Sequence, residues 1–394
     1  MTKKWVNIAD VLFFQEGPGV RNTQYTTSGV KLLNVANLVD GKVDLSKSDR
    51  YISEEEAYGK YRHFLCDDGD FVIASSGIKV EYIDKKMGFV DASMLPLCMN
   101  TSTIRFKVLD ENQLRIRYFM YYLKSKHFKE QLTKQITGSA QLNYGPSHLK
   151  KMIMPLIDIT VQDEIISCMD KLQSIIETRQ RELIELDRLM KARFVELFGD
   201  PRSNPFGFEK KRLKDTCKVI TGNTPSRAIA EYYGDYIEWI KTDNIVSGIL
   251  NPTQATESLS EKGMNVGRTV EKDSILMACI AGSIASIGRV CITDRTVAFN
   301  QQINAVVPEQ YNILFLYVLF QMSKDYLVED INMALKGILS KSKLEEKEFI
   351  IPPMDLQEQF SDFVKQVNKS KVKVQKALDE TQKLFDSLMQ QYFG

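Results

Sequence analysis

Between Ile165 and Met190 the apolar side chains recur at alternating steps of four and three: Ile165, Met169, Leu172, Ile176, then Arg179 in the same seam, then Leu183, Leu186 and Met190. That spacing keeps one helix face apolar through successive heptads, the pattern of a helix that pairs with another. No Gly or Pro interrupts Gln162 to Leu197, so about 36 residues can form one helix of roughly 54 Å. Adding 195 to each position gives Phe360, Val364, Val367, Lys371, Val374, Leu378, Thr381 and Phe385, a second seam of the same spacing. Arg179, Lys371 and Thr381 weaken either seam in isolation, yet polar residues at such positions fix register where two helices pair. Two amphipathic helices, each packed on its own domain, give the same pattern.

The repetition extends beyond the helices, and internal repeats set the frame for every later reading. Ile8 and Asp10 match Leu213 and Asp215 at an offset of 205. KLLNVANLVDG matches EWIKTDNIVSG at 207, pairing Asn37 with Asn244 and Gly41 with Gly248. GDFVIAS matches KDSILMA at 203, Asn100 matches Asn300 at 200, and Gly138 matches Gly337 at 199. From Gln162/Gln357 the offset locks at 195 through Phe198-Gly199/Phe393-Gly394.

Between the two helices, GDPRSNPFGF concentrates turn residues and reads as a linker. FVIAS, STIRFKV, SILMACI and INAVV are short, rich in β-branched residues and bounded by turns, as strands are, whereas RIRYFMYYLKSKHFKEQL and ILFLYVLFQMSKDYLVEDI are helical in length and period. The expected fold is α+β, with globular units at 1–158 and 201–353 and helical spacers at 159–200 and 354–394.

Composition narrows the function. The 394 residues carry 52 basic and 51 acidic side chains, a net charge of +1, so any nucleic-acid surface has to be local. The 15-residue uncharged stretch Ser274 to Gly288 is too short and too polar for a membrane span. Asn7 and Asp10 sit where a signal peptide has its apolar core, so a cytoplasmic location is expected. Cysteines 66, 98, 168, 217, 279 and 291 form no close pair, which argues against a zinc site and suits reduced, buried thiols.

Catalytic patterns are missing. There is no GxxxxGK[ST] phosphate loop, no GxGxxG after a strand, and no aromatic-flanked Asn-Pro-Pro or Asp-Pro-Pro of the amino-methyltransferase kind. His63, His127 and His148 all lie in the first copy, so a job common to both copies does not use histidine. Asp67, Asp68 and Asp70 read as a solvated turn. Both copies do offer loops rich in hydrogen-bonding and small residues. These are EGPGVRNTQY, ASSGIK, NTST and TGSAQLNYG in the first copy and TGNTPSR, KTDN, AGSIASIGR, NQQIN and LKGILSKSK in the second. Amides, Ser and Thr contact phosphates, while Asn, Gln, Arg and Lys read base edges. Taken singly, each loop is also an ordinary polar turn.

On these residues the sequence resembles, over nearly its whole length, the specificity subunit of type I restriction-modification systems. TGNTPSRAIAEYYGDYIEWIKTDNI, ACIAGSIASIGR, AFNQQIN and KGILSKSKLEEKEFIIPPMDLQEQF carry the resemblance in the second copy, and TGSAQLNYGPSHLKKMIMPLIDITVQDEI in the first. The first copy departs by having GPGVRNTQY in place of TPS and two more residues between Pro155 and its glutamine than lie between Pro352 and Gln357.

The resemblance implies two tandem target-recognition domains of α/β type, each binding half of an asymmetric bipartite double-stranded DNA target. It implies long helices that pair as an antiparallel coiled coil, set the spacing and dock two methyltransferase subunits, with two restriction subunits completing the complex. A spacer of roughly 50 Å exceeds one turn of B-DNA, about 34 Å. The chain itself is then non-catalytic and without cofactor. S-adenosylmethionine, ATP and Mg belong to partner subunits that methylate a flipped adenine and cleave DNA. Candidate DNA contacts are Arg21, Asn22, Ser75, Ser76, Lys79, Ser139 and Gln141 in the first unit. In the second they are Thr224, Ser226, Arg227, Lys241, Thr242, Ser283, Arg289, Lys336, Ser340 and Lys341. Trp239, in the alternating IEWIK run, is expected in the core rather than as a stacking platform.

Two other classes fit parts of the pattern. One is a coiled-coil scaffold joining two ligand- or protein-binding domains without DNA, which predicts no DNA retention in any complex. The other is an enzyme acting alone, which predicts methyl transfer or hydrolysis by the purified chain.

Overall fold

The computed structural model describes residues 3–135, 143–329, 331 and 337–394. Its contacts divide the chain into two compact units, Met1–Glu177 with Leu378–Gly394, and Thr178–Ala377. Among the described residues no helix is long and apolar enough to cross a membrane.

The first unit is built on a four-stranded antiparallel sheet in the order Leu12–Glu16, Thr103–Val108, Phe71–Ala74, Met87–Phe89. All four residues of Phe71–Ala74 are buried, which explains why FVIA is a continuous apolar run rather than an alternating one. A smaller sheet places Val30–Leu33 between Tyr51–Ile52 and Leu97–Met99, parallel to the latter. The second unit repeats the plan with Cys217–Thr221, Ile303–Pro308, Ile275–Ala278 and Val290–Ile292 in the four-stranded counterpart of the large sheet, and Ile237–Ile240 parallel to Val297–Phe299 in the counterpart of the small one, which here is extended to five strands.

Strand partners correct two sequence alignments. Ile73 pairs with Ile104, and Met277 pairs with Asn304, so at the Asn100/Asn300 offset of 200 the strand FVIA matches ILMA at 204, not 203. A one-residue slip would have turned every side chain to the opposite face. The closing strands Ile153–Leu156 and Glu348–Ile351 already stand at offset 195. Ile157 is therefore the counterpart of Pro352, and the two extra residues counted from Pro155 are not an insertion.

Two further expectations change. The apolar helix after each large-sheet strand is broken by a serine, giving Ile116–Lys124 and Lys126–Gln135, then Ile313–Met322 and Lys324–Val328. Ser125 is extended and its Oγ accepts from Phe128 N at 3.2 Å, so a cap that competes with the helix starts a new one. Asp70 is not solvated: it is 2% exposed and ion-paired to Arg105 at 3.2 Å, whose other N–H groups donate to Gln15 and to the Leu65 and His63 carbonyls. Asp67 and Asp68 are exposed.

The long helices are Ile159–Phe198 and Met354–Phe393, 40 residues and about 60 Å each. In the first unit Ile165, Met169, Leu172 and Ile176 are buried in one core with Phe385, Met389 and Phe393, and Leu378 packs at its edge. In the second, Met190, Phe194 and Phe198 share a core with Phe360, Val364 and Val367, with Leu186 packed against it and Leu183 half-buried. Phe194 and Phe198 meet Phe360 at 5.6 and 5.5 Å between ring centroids, while Asp187 meets Lys371 at 2.7 Å, so these two segments run antiparallel. Lys371, the polar intruder of the second seam, is thus an inter-helix ion pair, and it also donates to the Gly248 carbonyl at 2.8 Å.

A buried glutamine ties each long helix to its globular part. Gln162 accepts from Arg115 N (2.9 Å) and donates to the Gln113 and Ile157 carbonyls, while Gln357 accepts from Asn312 N (2.9 Å) and donates to the Pro352 carbonyl. Removing either amide leaves a part-buried N–H and a buried carbonyl without this partner. Gln357→Ala is accordingly expected to destabilise the second unit by about 1–3 kcal/mol, read as a lower urea midpoint. An unchanged midpoint would assign the bond no structural weight.

Candidate nucleic-acid interface

In the second unit, the loop after Cys217–Thr221 is fastened where it leaves the strand. A β-carbon at Gly222 would lie 2.2 Å from the Asn300 carbonyl oxygen, so only glycine permits the approach that lets Asn223 N donate to the Phe299 carbonyl at 3.2 Å. Gly17 meets Asn100 in the same way in the first unit, at 2.1 Å. From this anchor Thr224 donates to Gln301, and the Pro225 carbonyl accepts from Tyr233 OH at 2.7 Å.

Arg227 then lies over two rings, 4.5 Å from the Tyr233 centroid and 5.1 Å from that of Trp239. Its guanidinium is ion-paired to Glu257 at 2.7 Å, and the other oxygen of Glu257 accepts from Lys241. Lys241 also stands over Trp239 at 5.2 Å. Trp239 is the buried floor of this cluster, 3% exposed, with Nε1 donating to the Asn223 carbonyl at 3.3 Å. Lys241, followed first by Arg227, holds the Glu257 carboxyl below the usual glutamate range. A carboxyl shifted down contributes stability above its unfolded pKa and loses it as pH falls through the folded value, so the clamp is closed at neutral pH.

The backbone at Lys241 is set by Asn244, whose Oδ1 accepts from Lys241 N at 3.0 Å, and Asn37 does the same for Asn34 N. Arg289 donates to the Thr242 carbonyl at 3.4 Å and to that of Ser286 at 3.2 Å, and Ser286 is 3.0 Å from Ser283. Arg227 and Lys241 thus share Glu257 and Trp239, and Thr242, Arg289 and Ser283 form a second chain through Ser286, joined to the first only by the Lys241–Thr242 peptide. Ser226 is exposed beside Arg227. Ser340 caps the helix Lys341–Glu346 and Lys341 is exposed, ion-paired to Glu345 at 3.5 Å. Ile338, just before that cap, pairs with Ile280 next to the Gly-Ser loop. Lys336 lies outside the described residues.

In the first unit Arg21, Asn22 and Lys79 are exposed, and Ser76 donates to Ser102 at 2.6 Å. Ser75 is withdrawn from any surface: it is 1% exposed, with its hydroxyl donating to Glu16 at 3.3 Å. Ser139 and Gln141 lie outside the described residues. A cleft here is lined by Tyr25, Asn34, Arg50, Asn100, Thr101 and Ser102, with Arg50 5.2 Å from the Tyr25 centroid.

Tyr25, Arg50 and Glu257 were not singled out by the sequence reading. The 207 offset, continued from KLLNVANLVDG to Ile52/Leu259, places Arg50 opposite Glu257, a charge inversion visible in the sequence once the strands are aligned. Burial pushes the thiols of Cys66, Cys98, Cys217, Cys279 and Cys291 up to about 12, which leaves them without thiolate chemistry at neutral pH.

The model of the type I restriction modification DNA specificity domain matches residues 18–188 and again 205–381. The chain belongs to that family and carries its domain twice. Among curated relatives it is 33% identical over 146 residues to the specificity subunit of type I restriction enzyme HindI from Haemophilus influenzae, covering 36% of this chain and 31% of that protein. It thus spans about a third of that relative's length. Against the MjaIX specificity subunit of Methanocaldococcus jannaschii it is 23% identical over 326 residues, 77% of this chain and 73% of that one. The solved S subunit of a type I restriction-modification system from M. genitalium shares the fold, with a TM-score of 0.59 at 15% identity over 98% of this chain and 95% of that one.

The geometry separates floor from rim. Trp239→Ala is expected to cost the second unit about 3–5 kcal/mol, whereas Arg227→Ala, on the exposed rim, changes its urea midpoint little. Equal midpoints for the two variants would show that the indole is not core.

Proposed function

We propose that this chain is the sequence-reading subunit of a type I restriction-modification complex. Each unit reads one half of an asymmetric bipartite DNA target, and the long helices set the spacing between the halves and dock two methyltransferase and two restriction subunits. Supporting this is one observation above the rest: the same backbone plan occurs twice, with different polar and charged side chains on the matched cleft. A duplicated reader with unlike rims suits a target whose halves differ. Chemistry is supplied by the partners, methyl transfer from S-adenosylmethionine to a flipped adenine, and ATP-driven cleavage. In this chain the task is to hold donors and acceptors rigidly at groove depth. Phosphate contact from partner subunits offsets the near-neutral charge of +1.

Within this reading the DNA contacts of the second unit centre on Arg227 and Lys241, with Thr224, Ser226, Thr242, Ser283, Arg289, Ser340 and Lys341 around them. In the first unit they include Arg21, Asn22, Ser76 and Lys79. The test is to map methylated adenines in the source organism with and without this gene. Loss of methylation from one motif, two short defined halves around a fixed undefined spacer, is expected; an unchanged methylation map would transfer weight to a scaffold without DNA. Arg227→Ala in the assembled complex should weaken methylation by about 1–3 kcal/mol, roughly fivefold to a hundredfold, and relax one half only.

A further inference from the structure

The two clefts correspond at the positions that matching backbone hydrogen bonds fix. Leu32 N donates to the Arg50 carbonyl (2.8 Å) as Trp239 N does to that of Glu257 (3.0 Å), and Asn100 N donates to Leu33 (3.1 Å) as Asn300 N does to Ile240 (3.0 Å). At these matched positions the charges differ. The second unit has Arg227, Lys241 and Glu257, bound to one another. In the first, Asn34 stands at the position of Lys241 and Arg50 at that of Glu257, so a lysine–carboxylate pair is replaced by an amide and an arginine. Among the described residues no carboxylate lies within ion-pair distance of Arg50; its neighbour Asp49 is held by Lys31 at 3.1 Å.

Arg50 is nevertheless placed. It is exposed, lies over the Tyr25 ring, and its Nη1 is 3.4 Å from the Tyr25 hydroxyl. That hydroxyl also accepts from Asn100 Nδ2 (3.4 Å), which donates to Asn34 Oδ1 (2.8 Å), and Asn34 Nδ2 in turn donates to Ser48 (3.1 Å). Asn100 and Asn34 are 1% and 9% exposed, so the ring is oriented by a buried network rather than by solvent. Stacking holds a guanidinium plane while leaving most of its N–H fork unused, and that fork matches the O6/N7 edge of guanine.

We infer that Arg50, stacked on Tyr25, is the specificity-determining side chain of the first unit and reads a guanine in its half of the target, with Tyr25 as its positioning residue. This rests on the DNA-reading function proposed above. Arg50 and Glu257 then mark one position of the fold at which the two half-sites are made different.

The test uses the full chain assembled with its methyltransferase subunits, acting on a randomised duplex library whose methylated products are sequenced. For Arg50→Ala the expected result is that one guanine position in one half becomes degenerate and methylation of the original target falls on the order of tenfold or more, with the other half unchanged. Arg50→Lys should not restore the guanine, because an ammonium lacks the fork. Tyr25→Phe, which keeps the ring and loses the hydroxyl, should weaken the preference at that same position. Uniformly slower methylation with the motif intact would make Arg50 a phosphate contact and overturn the inference, as would an unchanged motif and rate. A wild-type complex that yields no bipartite motif would remove the underlying DNA-reading function itself, a distinct result.

Discussion

Everything in either unit depends on a buried amide at the first turn of its long helix. Gln162 and Gln357 are 0% and 1% exposed, and each receives the backbone N–H that opens the apolar helix behind the large sheet while donating to the carbonyl five residues before itself. Such an amide is costly to bury unless satisfied, so it tolerates only one placement of helix against sheet. Under the proposed DNA-reading function, with loops on one part and spacing set by another, that rigidity is a functional requirement. A cleft that rocked on its helix would lose register with the groove.

The residues repeated between copies are those that satisfy backbone. Gly17 and Gly222 allow one loop to approach the next strand, Asn37 and Asn244 close the turn beyond the small sheet, and the two glutamines weld on the helices. What varies is the rim. Asn34 and Lys241 occupy the same position, as do Arg50 and Glu257, and the backbone hydrogen bonds there are the same in both copies, whereas the Asn34 side chain adds bonds to Leu32, Ser48 and Asn100 that the second copy replaces. Duplication followed by divergence around a kept set of backbone contacts is a physically inexpensive route to the two unlike readers proposed above.

Much of the fold was legible because periodicity reports burial directly. The 4-3 seams became 40-residue helices, and the β-branched runs became the central strands of the large sheets. Errors arose where a local signal lacked its partner. Ser125 and Ser323 look like tolerable helix residues until their breaks are seen. Asp70 looks like a turn residue because Arg105, 35 positions away, is what buries it. Aligning prolines misled at Pro155, since a proline's position in an edge strand can drift while the hydrogen-bonded glutamine cannot. At the candidate site the sequence yielded Arg227 and Lys241 but not Glu257 between them, nor the Tyr25–Arg50 pair, since both groupings are assembled across strands.

The proposed function requires the two matched clefts to engage separate halves of one target. Hydrogen exchange of the assembled complex tests this most directly, with three duplexes: the intact target and two in which one half or the other is scrambled. Protection at the 18–27 and 47–53 loops should be lost with one scrambled half only, and protection at 223–232 and 241–258 with the other only. Loss at both clefts together whichever half is scrambled, or protection indifferent to sequence, would contradict it.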